Sequence, residues 1–191
     1  MDRYLFNSGT HYKIYDKLGA HQKIIDGIEG TVFRIWAPAA RRISVIGDFN
    51  SWDGRVHQMR SLENSGIWEL FIPGIAEKEL YKFEVRTQYR DLHIKSDPFQ
   101  FYGEVRPKTA SIVSSLDKYS WNDKDWMEKR SRTKPYDLPV STYEVHLGSW
   151  KRDPGDPDRF LTYKEIADTL VPYVKEMGFT HIELMPIMEH P

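Results

Sequence analysis

The run Gly47-Asp48-Phe49-Asn50-Ser51-Trp52-Asp53-Gly54-Arg55 mixes turn residues with large aromatics. Two Gly, two Asp and one Asn specify a turn, yet Phe49 and Trp52 lie inside it. Aromatics in a turn either fold back as a satellite core or stay exposed as a platform. An exposed indole suits the apolar face of a pyranose ring, and neighbouring Asp, Asn and Lys side chains can hydrogen-bond sugar hydroxyls. Spacing alone leaves both readings open. Lys82, in Leu-Tyr-Lys-Phe-Glu-Val, points away from the Tyr81, Phe83 and Val85 face. It is either a solvated charge or a donor to a bound polar ligand.

Other polar clusters carry less. Asp153 to Asp158 (D-P-G-D-P-D) superficially suggests calcium, but the acidic spacing is wrong for an EF-hand loop and no downstream bidentate Glu follows. The seven histidines are scattered; His181 and His190 form no ligand cluster, and no metal or cofactor is expected. Glu183 interrupts an apolar strand, where an internal hydrogen bond or ion pair would explain it. Glu189 and His190 follow the carboxyl end of that strand, the place where α/β barrels build active sites, but two strand ends do not assign a catalytic group.

The elements that must position these residues change style along the chain. Residues 1–23 are mixed and could hold a short helix or a packed arm. From Ile24 the period becomes two. Asp26-Gly27 reads as a hairpin turn, followed by strands at Thr31 to Trp36, Ile43 to Ile46, Ile67 to Ile72 and Leu80 to Arg86, with Asp91 to Lys95 and Ser111 to Val113 as further pairing candidates. Short strands at regular spacing indicate an all-β sandwich. Residues 118–139 read as a polar linker with one helical turn near Asp123 to Arg130. Val140 to Leu147 is then a strand. Thr162 with Glu165 makes a capping box, and Tyr163, Ile166, Ala167, Leu170, Val174 and Met177 form one apolar stripe. Pro172 should kink or split that helix, and Gly178 should stop it. Thr180 to Ile187 reads as a second, parallel strand. Strand–helix–strand is the opening of a larger α/β domain, so most of that domain's machinery is expected after Pro191.

Composition narrows the classes. The chain has 191 residues, 40% hydrophobic and 14% aromatic, with six Trp and eleven Tyr. A net charge of −1 and a pI near 6.7 lack the electrostatic footprint of a nucleic-acid binder and argue against an anionic membrane surface. With no cysteine, disulfides, thiolate catalysis and Cys-based zinc sites are excluded. The N-terminus has no basic region followed by an apolar core, and no apolar run approaches membrane-spanning length. The expectation is a soluble, cytoplasmic protein.

Read in order, F-R-I-W-A-P, S-V-I-G-D-F-N-S-W-D-G-R, G-I-W-E-L-F-I-P-G, L-Y-K-F-E-V, K-S-D-P-F, R-P-K-T-A-S, Y-E-V-H-L-G-S-W and G-F-T-H-I-E-L-M-P-I-M-E-H-P resemble bacterial 1,4-α-glucan (glycogen) branching enzymes over nearly the whole chain. The order and spacing of these pieces are far more specific than any one of them. The resemblance implies an immunoglobulin-like glucan-binding module followed by the first β-α-β of a (β/α)8 barrel. It divides the chain into an arm at 1–23, the sandwich module at 24–117, a linker at 118–139 and an incomplete barrel at 140–191, roughly a fifth of a whole one.

The resemblance also implies retaining transglycosylation, with an Asp nucleophile and a Glu acid/base. Those carboxylates lie on later strands, so none maps onto a residue here, and this chain alone is expected to be inactive. Trp52 and Lys82 match the sugar contacts of related modules, implying α-1,4-glucan or glycogen as the partner. A second stacking Trp of those modules has no match; the sequence reads Q-Y-R-D-L-H-I-K there. The competing readings are a standalone glucan-binding module and the N-terminal part of a debranching or trehalose-forming relative.

Overall fold

The computed structural model describes residues 2–188, so Glu189 and His190 lie outside the described residues. The chain divides into two compact units, Met1–Ser120 and Trp121–Pro191.

The first unit opens with helix α1 (Asp2–Asn7). Nine strands follow: β1 (Gly19–Ile25), β2 (Ile28–Trp36), β3 (Ala40–Gly47), β4 (Arg60–Ser61), β5 (Ile67–Pro73), β6 (Leu80–Thr87), β7 (Leu92–Lys95), β8 (Tyr102–Gly103) and β9 (Ser111–Ile112). Asp26 and Gly27 join β1 to β2 with φ of 50° and 79°. Positive φ at both central residues is the geometry of the hairpin turns that match strand twist, and it explains why this dipeptide marks the turn. Strand β1 begins at Gly19, five residues before the change of period at Ile24. Its middle, His21-Gln22-Lys23, is polar because only its first two residues are buried.

The strands form two antiparallel sheets. One has the order β1-β2-β5-β4; the other has β3-β6-β9-β8, with β7 also paired to β6. Alternate residues of the two sheets meet in one core. Phe33 and Ile35 of β2 and Ile72 of β5 join Ile43 and Val45 of β3, Tyr81 and Phe83 of β6, and Val113. Phe33, Tyr81 and Phe83 are fully buried, each worth about 2–3 kcal/mol of apolar transfer. Tyr81 also brings a hydroxyl inside, and Asp97 Oδ2 accepts its proton at 2.6 Å.

The second unit contains α2 (Lys124–Arg132), β10 (Thr142–Val145), α3 (Leu147–Trp150), α4 (Tyr163–Glu176) and β11 (His181–Leu184). Strands β10 and β11 are parallel, with Tyr143 opposite Ile182 and Val145 opposite Leu184. Both are shorter than the sequence pattern suggested, and Leu147 already belongs to a helical turn. In α4 the capping box is present: Thr162 Oγ1 accepts from Glu165 N, and the Glu165 carboxylate accepts from Thr162 N at 2.7 Å.

Two expectations for α4 need correction. The buried row is Ile166, Leu170 and Val174, whereas Tyr163, Ala167 and Met177 are exposed. Residues four apart stack along one narrow line, and the wider stripe turns away from it. Of the kink or split expected at Pro172, the split is absent, because the helix continues through that residue. The missing N–H deprives the Asp168 carbonyl of its partner, but both residues are exposed, so water can serve it.

The acidic loop before α4 serves the same helix. Asp153 accepts from Gly155 N at 2.8 Å and from Arg159 Nε at 2.5 Å, and Arg159 donates to Glu165 at 2.9 Å. The Arg159 guanidinium, with the Thr162 backbone N–H, holds the Glu165 carboxyl down to about 2. Glu183 is exposed beside Glu144 in the strand register.

Candidate functional site

The turn after β3 resolves the two fates its aromatics allowed. Asp48–Asn50 form one turn of 3-10 helix. Phe49 folds inward, packs against the sandwich core and lies 5.6 Å from the His57 ring. Trp52 stays 37% exposed. Its indole Nε1 donates to Asp48 Oδ1 at 2.7 Å, and its backbone N–H donates to Gly47 O at 2.9 Å. Ser51 and Trp52 both have left-handed backbones, with φ of 53° and 59°. A bulky residue there is uncommon and strained. The surrounding bonds hold it regardless, a pattern associated with function.

Asn50 is the residue that builds the turn. Its Oδ1 accepts from Gly47 N at 3.0 Å, and its Nδ2 donates to Val45 O and His57 Nδ1, each at 2.9 Å. His57 is therefore the acceptor at Nδ1, and burial lowers its pKa from the ordinary value of 6.5. On the platform reading, the polar side chains of this turn could hydrogen-bond sugar hydroxyls. Instead Asn50 serves the backbone, Asp48 holds the indole, and Asp53 is clasped by Arg55 at 2.6 Å. The Arg55 bonds hold the Asp53 carboxyl at about 2. Nothing in the hydrophobic pattern signals the role of Asn50; its only trace is an Asx residue three positions after a glycine.

Lys82 sits on β6 opposite Ile46 of β3. Its neighbours Tyr81 and Phe83 are buried and it is not, so it projects from the outer sheet face, as the alternation required. Its Nζ donates to Thr109 Oγ1 at 2.7 Å. Glu84, two residues on and on the same face, accepts from Arg42 at 2.6 Å. The space that a side chain at Gly54 would need is filled by the Glu84 carboxylate. The Gly47–Arg55 turn thus folds back over the face that carries Lys82 and Glu84. The structure thus brings the turn that carries the exposed Trp52 over the sheet face that carries the lysine.

In the second unit a cavity of about 640 Å³ opens beside His146, Phe160, Tyr163, Ile187 and Met188, next to the carboxyl ends of β10 and β11. His146 Nδ1 lies 3.0 Å from Ser149 Oγ, a bond within its own turn.

Residues 17–100 match carbohydrate-binding module 48 (isoamylase N-terminal domain). The whole chain is 56% identical to the 1,4-alpha-glucan branching enzyme GlgB of Synechococcus sp. (strain JA-2-3B'a(2-13)), covering 27% of that protein. It is 55% identical to GlgB of Gloeobacter violaceus, covering 26%. The chain thus spans about a quarter of the length of these curated relatives. Among solved structures, an α-amylase-like protein from Salmonella typhimurium aligns over 91% of this chain and 25% of its own, with a TM-score of 0.64 at 22% identity. A pullulanase from Bacillus acidopullulyticus aligns over 91% and 22%, with a TM-score of 0.58 at 19% identity. At such identities these two neighbours speak for the fold alone.

Proposed function

This chain is homologous throughout to the N-terminal part of GlgB-type 1,4-α-glucan branching enzymes, and we propose from that premise that its first unit holds an α-1,4-glucan for a branching reaction. The observation that carries the proposal is the exposed Trp52 indole, kept in a strained left-handed backbone in the turn over the sheet face that presents Lys82. The indole offers a stacking plate for a pyranose ring. Lys82, already donating to a hydroxyl of Thr109, can exchange that partner for a sugar hydroxyl at little cost.

In this reading the first unit is an immunoglobulin-like glucan-binding module of residues 24–117 with an arm at 1–23. Residues 118–139 are the linker, and β10, α4 and β11 are the first β-α-β of a (β/α)8 barrel at 140–191. The homology supports these assignments, as does the parallel pairing of β10 with β11. The branching reaction cleaves an α-1,4 bond through a covalent glycosyl-enzyme and passes the chain to a glucan 6-hydroxyl. The two carboxylates required belong to barrel strands outside this sequence, so the 191-residue chain binds glucan without branching it. A cytoplasmic location fits a glycogen substrate; among the described residues no helix is long and apolar enough to cross a membrane.

Affinity electrophoresis in glycogen-containing gels tests the proposal. The chain is expected to be retarded, and Trp52→Ala and Lys82→Ala each to run closer to a non-binding standard. Equal mobility of all three with that standard would remove the binding role. An iodine-stain shift of amylose produced by the purified chain would contradict its inactivity.

A further inference from the structure

The outer face that carries Lys82 continues across two more strands. Leu80 of β6 pairs with Ile112 of β9, and Ile112 pairs with Tyr102 of β8. Paired residues in an antiparallel register share a face, so these three side chains lie in the same layer as Lys82, two positions from Leu80. The adjacent row, Tyr81, Ser111 and Gly103, faces the other way, and its Tyr81 and Ser111 are fully buried. Tyr102 is 58% exposed. It walls a cavity of about 390 Å³ whose lining also includes Leu80, Ile112, Glu104 and Lys108.

The rim of this cavity joins the Lys82 site directly. Glu104 accepts from Ala110 N at 3.0 Å, and Thr109, beside Ala110, holds Lys82 Nζ at 2.7 Å. Lys108 Nζ is 3.6 Å from Glu104 Oε1. Glu104 and Lys108 thus form an ion pair at the rim, with Arg106 also in the lining. An aromatic plate, an apolar floor and paired polar groups suit a neutral polyhydroxylated ring: one face stacks and the edges find donors and acceptors.

We propose that the Tyr102 cavity is a second glucose subsite, on the same sheet face as Lys82, so that the module takes a long α-1,4-glucan stretch running across the strands. Strands lie about 4.8 Å apart. Tyr102, two strands from Lys82, is thus about 10 Å away across the sheet, wider than a single pyranose ring. Tyr102 also lies just past residues 17–100 that match the carbohydrate-binding module. The inference rests on the Trp52–Lys82 reading.

The test is ligand-length dependence in the full 191-residue chain, with maltotriose and maltoheptaose as probes in a calorimetric titration. Tyr102→Ala is expected to weaken maltoheptaose at least about threefold, the scale of one lost stacking contact, and to leave maltotriose unchanged. Tyr102→Trp should restore or exceed the original maltoheptaose affinity. Trp52→Ala should weaken both ligands. If Tyr102→Ala leaves both unchanged, or weakens both equally, the subsite is wrong while the Trp52 site stands. If the unmodified chain binds neither ligand, the Trp52–Lys82 reading itself falls. Because Tyr102 is largely exposed, an unchanged thermal midpoint in Tyr102→Ala serves as the folding control.

Discussion

The indole N–H of Trp52 is held by Asp48 Oδ1 at 2.7 Å, while Phe49, between them in sequence, turns the opposite way into the core. Two aromatics three residues apart thus do different work, and truncation should separate them. Phe49→Ala removes packing against the sandwich and is expected to cost about 2–3 kcal/mol. Trp52→Ala removes a partly exposed ring in a strained backbone and should cost less than about 1 kcal/mol. Urea unfolding midpoints check this. Equal losses would mean that Trp52 is structural, and the platform reading would lose its basis.

The Asn50–His57 contact makes the same turn sensitive to acid. His57 Nδ1 accepts from Asn50 Nδ2 at 2.9 Å, so a proton at Nδ1 would place two donors face to face. Burial lowers the His57 pKa below 6.5, so the unfolded chain takes up the proton first. Its contribution to stability is complete above pH 6.5 and is lost as pH falls through 6.5 to the lower, folded pKa. Thermal midpoints should therefore drop between pH 7.5 and 5, and His57→Gln should flatten part of that drop. Asn50→Ala orphans Gly47 N and Val45 O together and is expected to cost about 2–3 kcal/mol at any pH. An NMR titration placing His57 above 6.5 would refute the assignment.

The parts legible in the sequence are those written in local pattern. Asp26-Gly27 announces its turn because few other dipeptides tolerate two positive φ angles. Thr162 and Glu165 announce the start of α4 because both halves of the capping box are side chains of fixed spacing. Lys82 was assigned to the outer face because period two leaves it no other side. What escaped is long-range or backbone-directed. The Lys82–Thr109 bond joins residues 27 apart, and no local period foretells it. Strand β8 is two residues long, too short to show alternation, so Tyr102 could not be placed on the Lys82 face. The Asn50 bonds go mostly to main-chain atoms, which every residue has. The breadth of the α4 stripe was overread because exposed Tyr163 and Met177 count as apolar in a pattern even where nothing covers them.

Buried Asp97 should show a pH response opposite to that of His57. It is only 2% exposed and sits in the K-S-D-P-F segment. Burial raises its pKa, while the Tyr81 hydroxyl and Phe99 N–H favour its charged form. Burial and the neighbouring Asp97 charge push the Tyr81 phenol up in turn. A folded pKa above 3.8 means that this carboxyl contributes most below pH 3.8. That contribution is lost as pH rises through the folded value. The charged carboxyl needs its donors, so Tyr81→Phe is expected to destabilise by about 1–3 kcal/mol above the folded pKa of Asp97, and by less below it. Asp97→Asn keeps an acceptor for Tyr81 without the charge, so the same Tyr81→Phe change should cost less in that background. Urea unfolding of the two single variants and the double variant at pH 7 measures the coupling, expected at about 1 kcal/mol or more for residues in direct contact. Strict additivity would show that the Tyr81 hydroxyl does not hold the Asp97 charge, and that packing alone fixes this segment against the core.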